Sequence, residues 1–354
     1  MTSMPDKRPP LAAWLVKSGA VVLRYAAIFV VAFTLFGIIL WIAGKDPWLA
    51  IRDTLTYTLG SGRGLSEVVV KMTPLLLTAL AVAVPSRVML INIGSEGQLY
   101  MGACLGTWVA LSFTGLPAWV MLPFMLFMGA VGGALWALVP AILRARGLVN
   151  ETITTLLLNY VAPSLVTFFI YGPWRSPGNS FYPQTPDFVP AARLPLLGDT
   201  RIHLGLVVGL VMLGLYWLFM KYTRWGLEMR AIGGNAQAAK RSGIPVTTYL
   251  ILALCIGGAL AGVAGIAEVA GAHGRLRPGF SPGFGYTGFL INWLAGGHPL
   301  GILVMAFVVA LITSGGDILQ INQGLPFAVV DILLAITLFV VLARPALRLK
   351  GKRA

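Results

Sequence analysis

The chain has 354 residues, of which 57% are apolar and 11% charged, with 42 glycines and 22 prolines, and its mean hydropathy is +0.83. A soluble domain carries about 25% charged residues, so a soluble multi-domain enzyme is excluded, and continuous apolar runs are unlike the alternating segments of an outer-membrane barrel. The net charge of +14 does not mark a nucleic-acid partner, because the basic residues do not cluster with aromatics on a soluble face.

Ten apolar runs follow in chain order, at 22–43, 68–84, 99–113, 118–143, 153–171, 204–220, 249–269, 285–295, 300–313 and 327–342. A helix needs about 20 apolar residues to cross the hydrocarbon layer. The fold class is therefore all-α: a polytopic inner-membrane helical bundle of about ten transmembrane spans, forming one domain over 1–354. The runs at 99–113 and within 285–313 are short enough to be half-helices or re-entrant pieces. The first run follows Lys7, Arg8 and Lys17 and lacks a small-residue cleavage site, so it reads as a retained helix.

An even number of spans puts both termini on one side, and cytoplasmic segments are rich in Lys and Arg. With the termini inside, 17 of the 26 basic residues fall on the cytoplasmic side and eight outside, with Lys71 within a run. Segments 1–21, 221–246 and 344–354 are then cytoplasmic and 172–200 periplasmic. The basic tail from Arg344 to Arg353 would lie against anionic lipid headgroups. The periplasmic loop carries Pro173, Pro177, Pro183, Pro186, Pro190 and Pro195 with Trp174, Phe181, Tyr182 and Phe188. Such a loop is either a docking surface or a lid folded onto its own spans.

Polar groups at membrane depth are costly and mark functional positions. The stretch Asn92-Ile93-Gly94-Ser95-Glu96-Gly97-Gln98 places a carboxylate, two glycines and hydrogen-bonding side chains at the start of a span. Broken helices beside a polar cavity have this make-up; the alternative is an interfacial segment whose Glu96 is favoured by the helix dipole. In Asn150-Glu151-Thr152-Ile153-Thr154-Thr155-Leu156-Leu157-Leu158-Asn159-Tyr160, Asn150 is an N-cap. Glu151, Thr155 and Asn159 recur every four residues and share one helical face, which either lines a path or bonds neighbouring helices. Lys71 and Asp331 are further ionisable groups within runs, and a mutual pair would satisfy both.

In the longest internal cytoplasmic segment, Asn235 is an N-cap, residues 236–242 form a short helix, Gly243 stops it and Pro245 blocks continuation. Two helical turns are marginal alone and need a surface, supplied by a cytosolic subunit or by lipid. Cys104 and Cys255 lie in apolar runs as small hydrophobes, and His203, His273 and His298 are far apart, so no metal site, catalytic set or cofactor is expected.

At these residues the sequence resembles the permease subunits of ABC importers of the ribose and nucleoside class, over most of the chain from Pro74 to Arg344. Asn92 to Gln98 is similar to that family's NIGxEGQ element, Asn150 to Tyr160 to its NExIxTxxLNY element, and Gly226 to Gly243 to its coupling element GxxxRAxGxNxxAAxxxGI. The resemblance implies a type II importer fold and a translocation path between two permease subunits, identical or not. Asn92, Ser95, Glu96, Gln98, Glu151, Thr155 and Asn159 would lie at the path. Gly226, Arg230, Ala231, Gly233, Asn235, Ala238, Ala239 and Gly243 would couple it to a cytosolic ATPase subunit.

The chain contains no G-x-x-x-x-G-K-[ST] phosphate loop, so ATP would be hydrolysed by a separate chain and this subunit is not an enzyme. An extracytoplasmic substrate-binding protein completes the expected assembly. The paired motifs favour a purine nucleoside as cargo, followed by a simple sugar and then a riboflavin-like heterocycle. An ion-coupled secondary transporter would need matched broken helices in two halves, and no internal repeat of the Asn92 to Gln98 element occurs. An intramembrane enzyme lacks a nucleophile with its base.

Overall fold

The protein is described from a computed structural model over residues 30–31, 34–42, 44–177, 182–324 and 328–342. The basic tail from Arg344 lies outside the described residues, as do the early part of the first apolar run and Phe181. The described chain is helical, with one isolated antiparallel bridge between Leu196 and His203.

In order, the helices are α1 (Thr34–Ile42), α2 (Pro47–Leu59), α3 (Gly62–Ser86), α4 (Ser95–Ser112), α5 (Ala118–Ala145), α6 (Glu151–Tyr171), α7 (Gly205–Tyr222), α8 (Arg224–Gly234), α9 (Ala236–Arg241), α10 (Val246–Glu268), α11 (Phe284–Ala295), α12 (Pro299–Gln323) and α13 (Ala328–Leu342). Two compact units are distinguished, one of residues 1–56 with 315–354 and one of residues 57–314. In the first, the side chain of Thr54 lies where a Cβ on Gly315 would fall, so α2 and α12 approach closely there.

Among the described residues six helices are long and apolar enough to cross a membrane: α3, α5, α6, α7, α10 with its π-turn, and α12; the bent pair α1 and α2 would make a seventh. About ten were expected. Most of the difference lies in the short runs: α11 has 12 residues, about 18 Å at 1.5 Å per residue, against a hydrocarbon core of about 30 Å. The helix at 47–59 was not anticipated, because its polar residues break the apolar pattern.

In the larger unit α3 runs through the centre, buried without interruption from Met72 to Pro85. It packs against α10, α11 and α7, while α4, α5 and α10 pack on one another. Lipid offers no hydrophobic drive between helices, so close approach at small residues does the work. A Cβ on Gly133 of α5 would fall 2.0 Å from the Gly258 carbonyl of α10, and one on Gly262 would fall 2.1 Å from the Gly129 carbonyl. The outer helices turn apolar side chains away from the protein: Phe127, Leu157, Phe168 and Phe219 are all more than half exposed, as a lipid-facing surface requires.

The 172–200 loop adopts the folded-back alternative in its described part. The N–H groups of Thr185, Phe188 and Leu194 donate to the carbonyls of Leu276, Gly274 and Ala270 at 3.0, 2.8 and 3.0 Å. Asp187 pairs with Arg275 at 2.8 Å, and Phe188 is buried.

Candidate functional site

Helix α4 begins at Ser95 behind Gly94, which has no side chain to cap it. The first N–H groups of any helix need outside partners, and here other helices supply them. The Asn159 side-chain carbonyl of α6 accepts the Gly97 N–H at 2.8 Å, and its amide donates to the Ile93 carbonyl at 2.9 Å.

The start of α11 meets the start of α4. Glu96 Oε2 accepts the Gly285 N–H at 2.6 Å, and Ser95 Oγ donates to the Gly285 carbonyl at 3.0 Å. A carboxylate held in the first turn of one helix and against the first turn of another is favoured by both dipoles. The approach requires glycine, since a Cβ on Gly285 would lie 2.2 Å from the Glu96 nitrogen. From α3, Thr78 Oγ1 donates to the Phe284 carbonyl at 3.0 Å.

Asn92 and Gln98 close the turn before α4 through two reciprocal amide bonds of 2.9 Å. Asn92 also donates to the Ala81 carbonyl of α3 at 3.2 Å. Asn92, Ser95, Glu96, Gln98, Glu151, Thr155 and Asn159 are all buried. The shared face of Glu151, Thr155 and Asn159 is thus present and points at segment 91–97. Glu151 accepts the Ile91 N–H at 3.3 Å and pairs with Arg144 at 2.9 Å. Thr155 donates locally to the Thr152 carbonyl at 3.1 Å, and its Cβ sits 2.7 Å from where a Cβ on Gly94 would be. Asn150 caps α6 through the Thr152 N–H at 2.8 Å.

The second group of expected residues builds a helical corner. Thr223 caps α8 through the Gly226 N–H at 3.2 Å. Gly226 and Gly233 are sites of close backbone approach: Cβ atoms there would lie 2.4 Å from the Phe219 and Arg87 carbonyls respectively. Arg230 donates to the Met220 carbonyl, and Ala231 is exposed. The Tyr249 hydroxyl donates to Glu228; that bond first, then the Arg224 guanidinium, holds the Glu228 carboxyl below the usual carboxylate range.

Asn235 caps α9, its side chain accepting the N–H groups of Gln237 and Ala238 at 3.0 Å each, and Gly243 ends the corner at φ +82°. The short helix expected after Asn235 is present; α8 before it was not anticipated. Ala238 is exposed, whereas Ala239 is buried within its own chain.

Two polar groups were missed, the buried Glu268 and the half-buried Arg87. Glu268, 6% exposed near the end of α10, lies 3.5 Å from His273 with Lys71 and Arg277 nearby; a carboxylate inside the 249–269 run was the available signal. Lys71 itself donates to the Thr313 carbonyl at 3.2 Å. Arg87, one of the basic residues counted on the cytoplasmic side, donates to the Tyr216 hydroxyl at 2.8 Å and to the Gly297 carbonyl. Nothing local to Arg87 or Tyr216 announces this pair. Among the described residues no three of His, Cys, Asp and Glu lie close enough to share a metal ion.

The site is a junction of helix ends in a membrane bundle, a polar knot tying α3, α4, α6 and α11, with a separate helical corner between α7 and α10. Residues 64–342 match the family described as branched-chain amino acid transport system / permease component. The chain is 37% identical over 344 residues to a glucose ABC transporter permease protein of Haloferax volcanii, covering 94% of this chain and 89% of that one. It is 32% identical over 321 residues to a nucleoside ABC transporter permease protein of Lactococcus lactis subsp. cremoris, covering 88% and 87%. It is also 32% identical over 292 residues to a guanosine ABC transporter permease protein of Bacillus subtilis, covering 80% and 82%. A helical bundle with these membrane-length helices and these relatives is a multi-pass membrane protein, and the chain belongs to the branched-chain amino acid transport system permease family, as an ABC transporter permease.

Proposed function

We propose that this chain is one of two membrane-spanning subunits, identical or not, of an ATP-driven nucleoside importer of the type II class. Both termini and the α8–α9 corner face the cytoplasm of an inner-membrane protein. A separate ATPase chain sits on α9, and an extracytoplasmic binding protein delivers cargo from the opposite side. The observation that carries the reading is α9: a six-residue helix, capped by its own Asn235 and exposed except for Ala239, too short to persist without a supporting surface.

The knot residues are proposed to hold the broken-helix junction beside the translocation path. Because Asn92, Gln98, Glu96 and Asn159 bond one another's neighbouring backbone and side chains, their role is to fix the ends of α4 and α11 and not to present free groups to cargo. The non-catalytic assignment follows from the missing phosphate loop.

The purine nucleoside rests on the motif pair and on the two relatives named for nucleosides or guanosine. A hexose is the second reading, favoured by the glucose permease relative at 37% identity. Uptake of labelled inosine, ribose and glucose in cells with and without an in-frame deletion, in a strain lacking other nucleoside routes, separates them. Inosine uptake should fall about tenfold or more and return with the intact gene. A deletion that leaves inosine uptake intact and abolishes glucose uptake would reject the nucleoside.

A further inference from the structure

A cavity of about 200 Å³ opens at the C-terminal end of α7, lined by Arg87, Trp217, Lys221, Arg230 and His298 among others. It has room for far more than one water, whose share of liquid volume is about 30 Å³. The positive side chains come from three places in the chain: Arg87 just after α3, Lys221 in the last turn of α7, and Arg230 on α8. No carboxylate lines it.

The cations are held by neutral groups. Arg87 donates to the Tyr216 hydroxyl and the Gly297 carbonyl, and Arg230 to the Met220 carbonyl. The Lys221 ammonium lies over the rings of Trp217 and Tyr222, at 5.1 and 4.9 Å. A guanidinium has five N–H donors, so both arginines keep donors for an anion. The nearest acid on α8, Glu228, is engaged by Arg224 and Tyr249.

The same end of α7 is an aromatic belt: Trp217, Phe219 and Tyr222 are exposed, and Leu210, Val211, Leu215 and Leu218 continue an exposed apolar face along the helix. Aromatic rings of this kind sit at headgroup depth, and basic cavities between spans at that depth suit anionic headgroups. We propose that this cavity binds a phosphate group, carried by the headgroup of an anionic phospholipid whose acyl chains lie along α7. Arg87 and Arg230 would grip the phosphate oxygens and Lys221 would close over them. The proposal is independent of the cargo.

The full-length protein, purified in neutral detergent, is examined by native mass spectrometry with phosphatidylglycerol, with phosphatidylcholine, and with inorganic phosphate as competitor. Wild type should retain phosphatidylglycerol in preference to phosphatidylcholine. Lys221→Gln, which removes no hydrogen bond in this fold, should weaken retention about fivefold, and Lys221→Gln with Arg230→Gln further, since each cation near a membrane surface contributes about 1 kcal/mol. Lys221→Arg should restore it, and Arg146→Gln, an exposed cation outside the cavity, should change nothing. Displacement by millimolar phosphate would support the site with a free anion as its source, and retention despite phosphate would assign it to lipid. No preference for phosphatidylglycerol over phosphatidylcholine, or equal losses in Lys221→Gln and Arg146→Gln, would overturn the proposal.

Discussion

The Asn159 side-chain carbonyl accepts the Gly97 N–H at 2.8 Å, so helix α4 is capped by a residue 62 positions away on another helix. The same amide holds the Ile93 carbonyl on the other side of the break. One side chain therefore serves both ends of an irregular turn that lipid could not solvate.

Replacing Asn159 by Leu leaves a buried N–H and a buried carbonyl unpaired, each costing about 1–3 kcal/mol. Asn159→Asp keeps the acceptor but loses the donor and buries a carboxyl facing the Ile93 carbonyl. Thermal unfolding in detergent should place both Asn159→Asp and Asn159→Leu below wild type. Equal stability for Leu and Asn would refute the capping role.

Gly285→Ala places a methyl 2.2 Å from the Glu96 backbone nitrogen and should destabilise by about 1–3 kcal/mol, the range for overpacking. Glu96→Gln retains an acceptor for the Gly285 N–H and should fold; Glu96→Leu should lower the melting temperature and reduce transport. A melting temperature for Gly285→Ala matching wild type would mean that α4 and α11 do not meet this closely.

The two alanines of α9 separate folding from partner contact. Ala239→Asp buries a charge within the chain and should lower the melting temperature. Ala238→Asp changes an exposed position and should leave the melting temperature unchanged while transport and cargo-stimulated ATP hydrolysis fall. If Ala238→Asp transports normally, α9 is not the ATPase contact.

Topology is checked by reporter fusions. Fusions after Arg144, Lys221 and Arg348 should give cytoplasmic signals, and one after Pro186 an external signal. An external signal at Lys221 would invert the proposed orientation of the α8–α9 corner.

Burial lowers His203, in the loop before α7, from its ordinary 6.5 to about 4. Its unfolded form takes up a proton first, so the stability it contributes is present above about pH 6.5 and is lost as pH falls through that value toward 4. His203→Gln keeps an acceptor for the Gly205 N–H, which the imidazole Nδ1 accepts at 3.2 Å, and cannot titrate. Melting temperatures between pH 7 and 4 should decline less in the variant. Parallel curves would show that His203 does not titrate in this way.

The amino-acid sequence alone determined the membrane class, because apolar runs near bilayer length and scarce charge have no other stable solution. It also determined the local caps at Asn150 and Asn235, whose partners lie two or three residues away, and the shared face of Glu151, Thr155 and Asn159, which follows from helical period. Motifs in family order indicated the permease family. Tertiary structure decided what those polar residues bond to. Glu96 meets Gly285 across 189 positions and Arg87 meets Tyr216 across 129, pairings that no local period encodes. It also decided that Ala239 turns inward while Ala238 turns out, and that α11 is a half-length helix whose first turn meets a carboxylate from α4. Such facts depend on which helix ends converge, and convergence is set by close approach at glycines such as Gly133, Gly258 and Gly285, whose partners become visible only once the chain is folded.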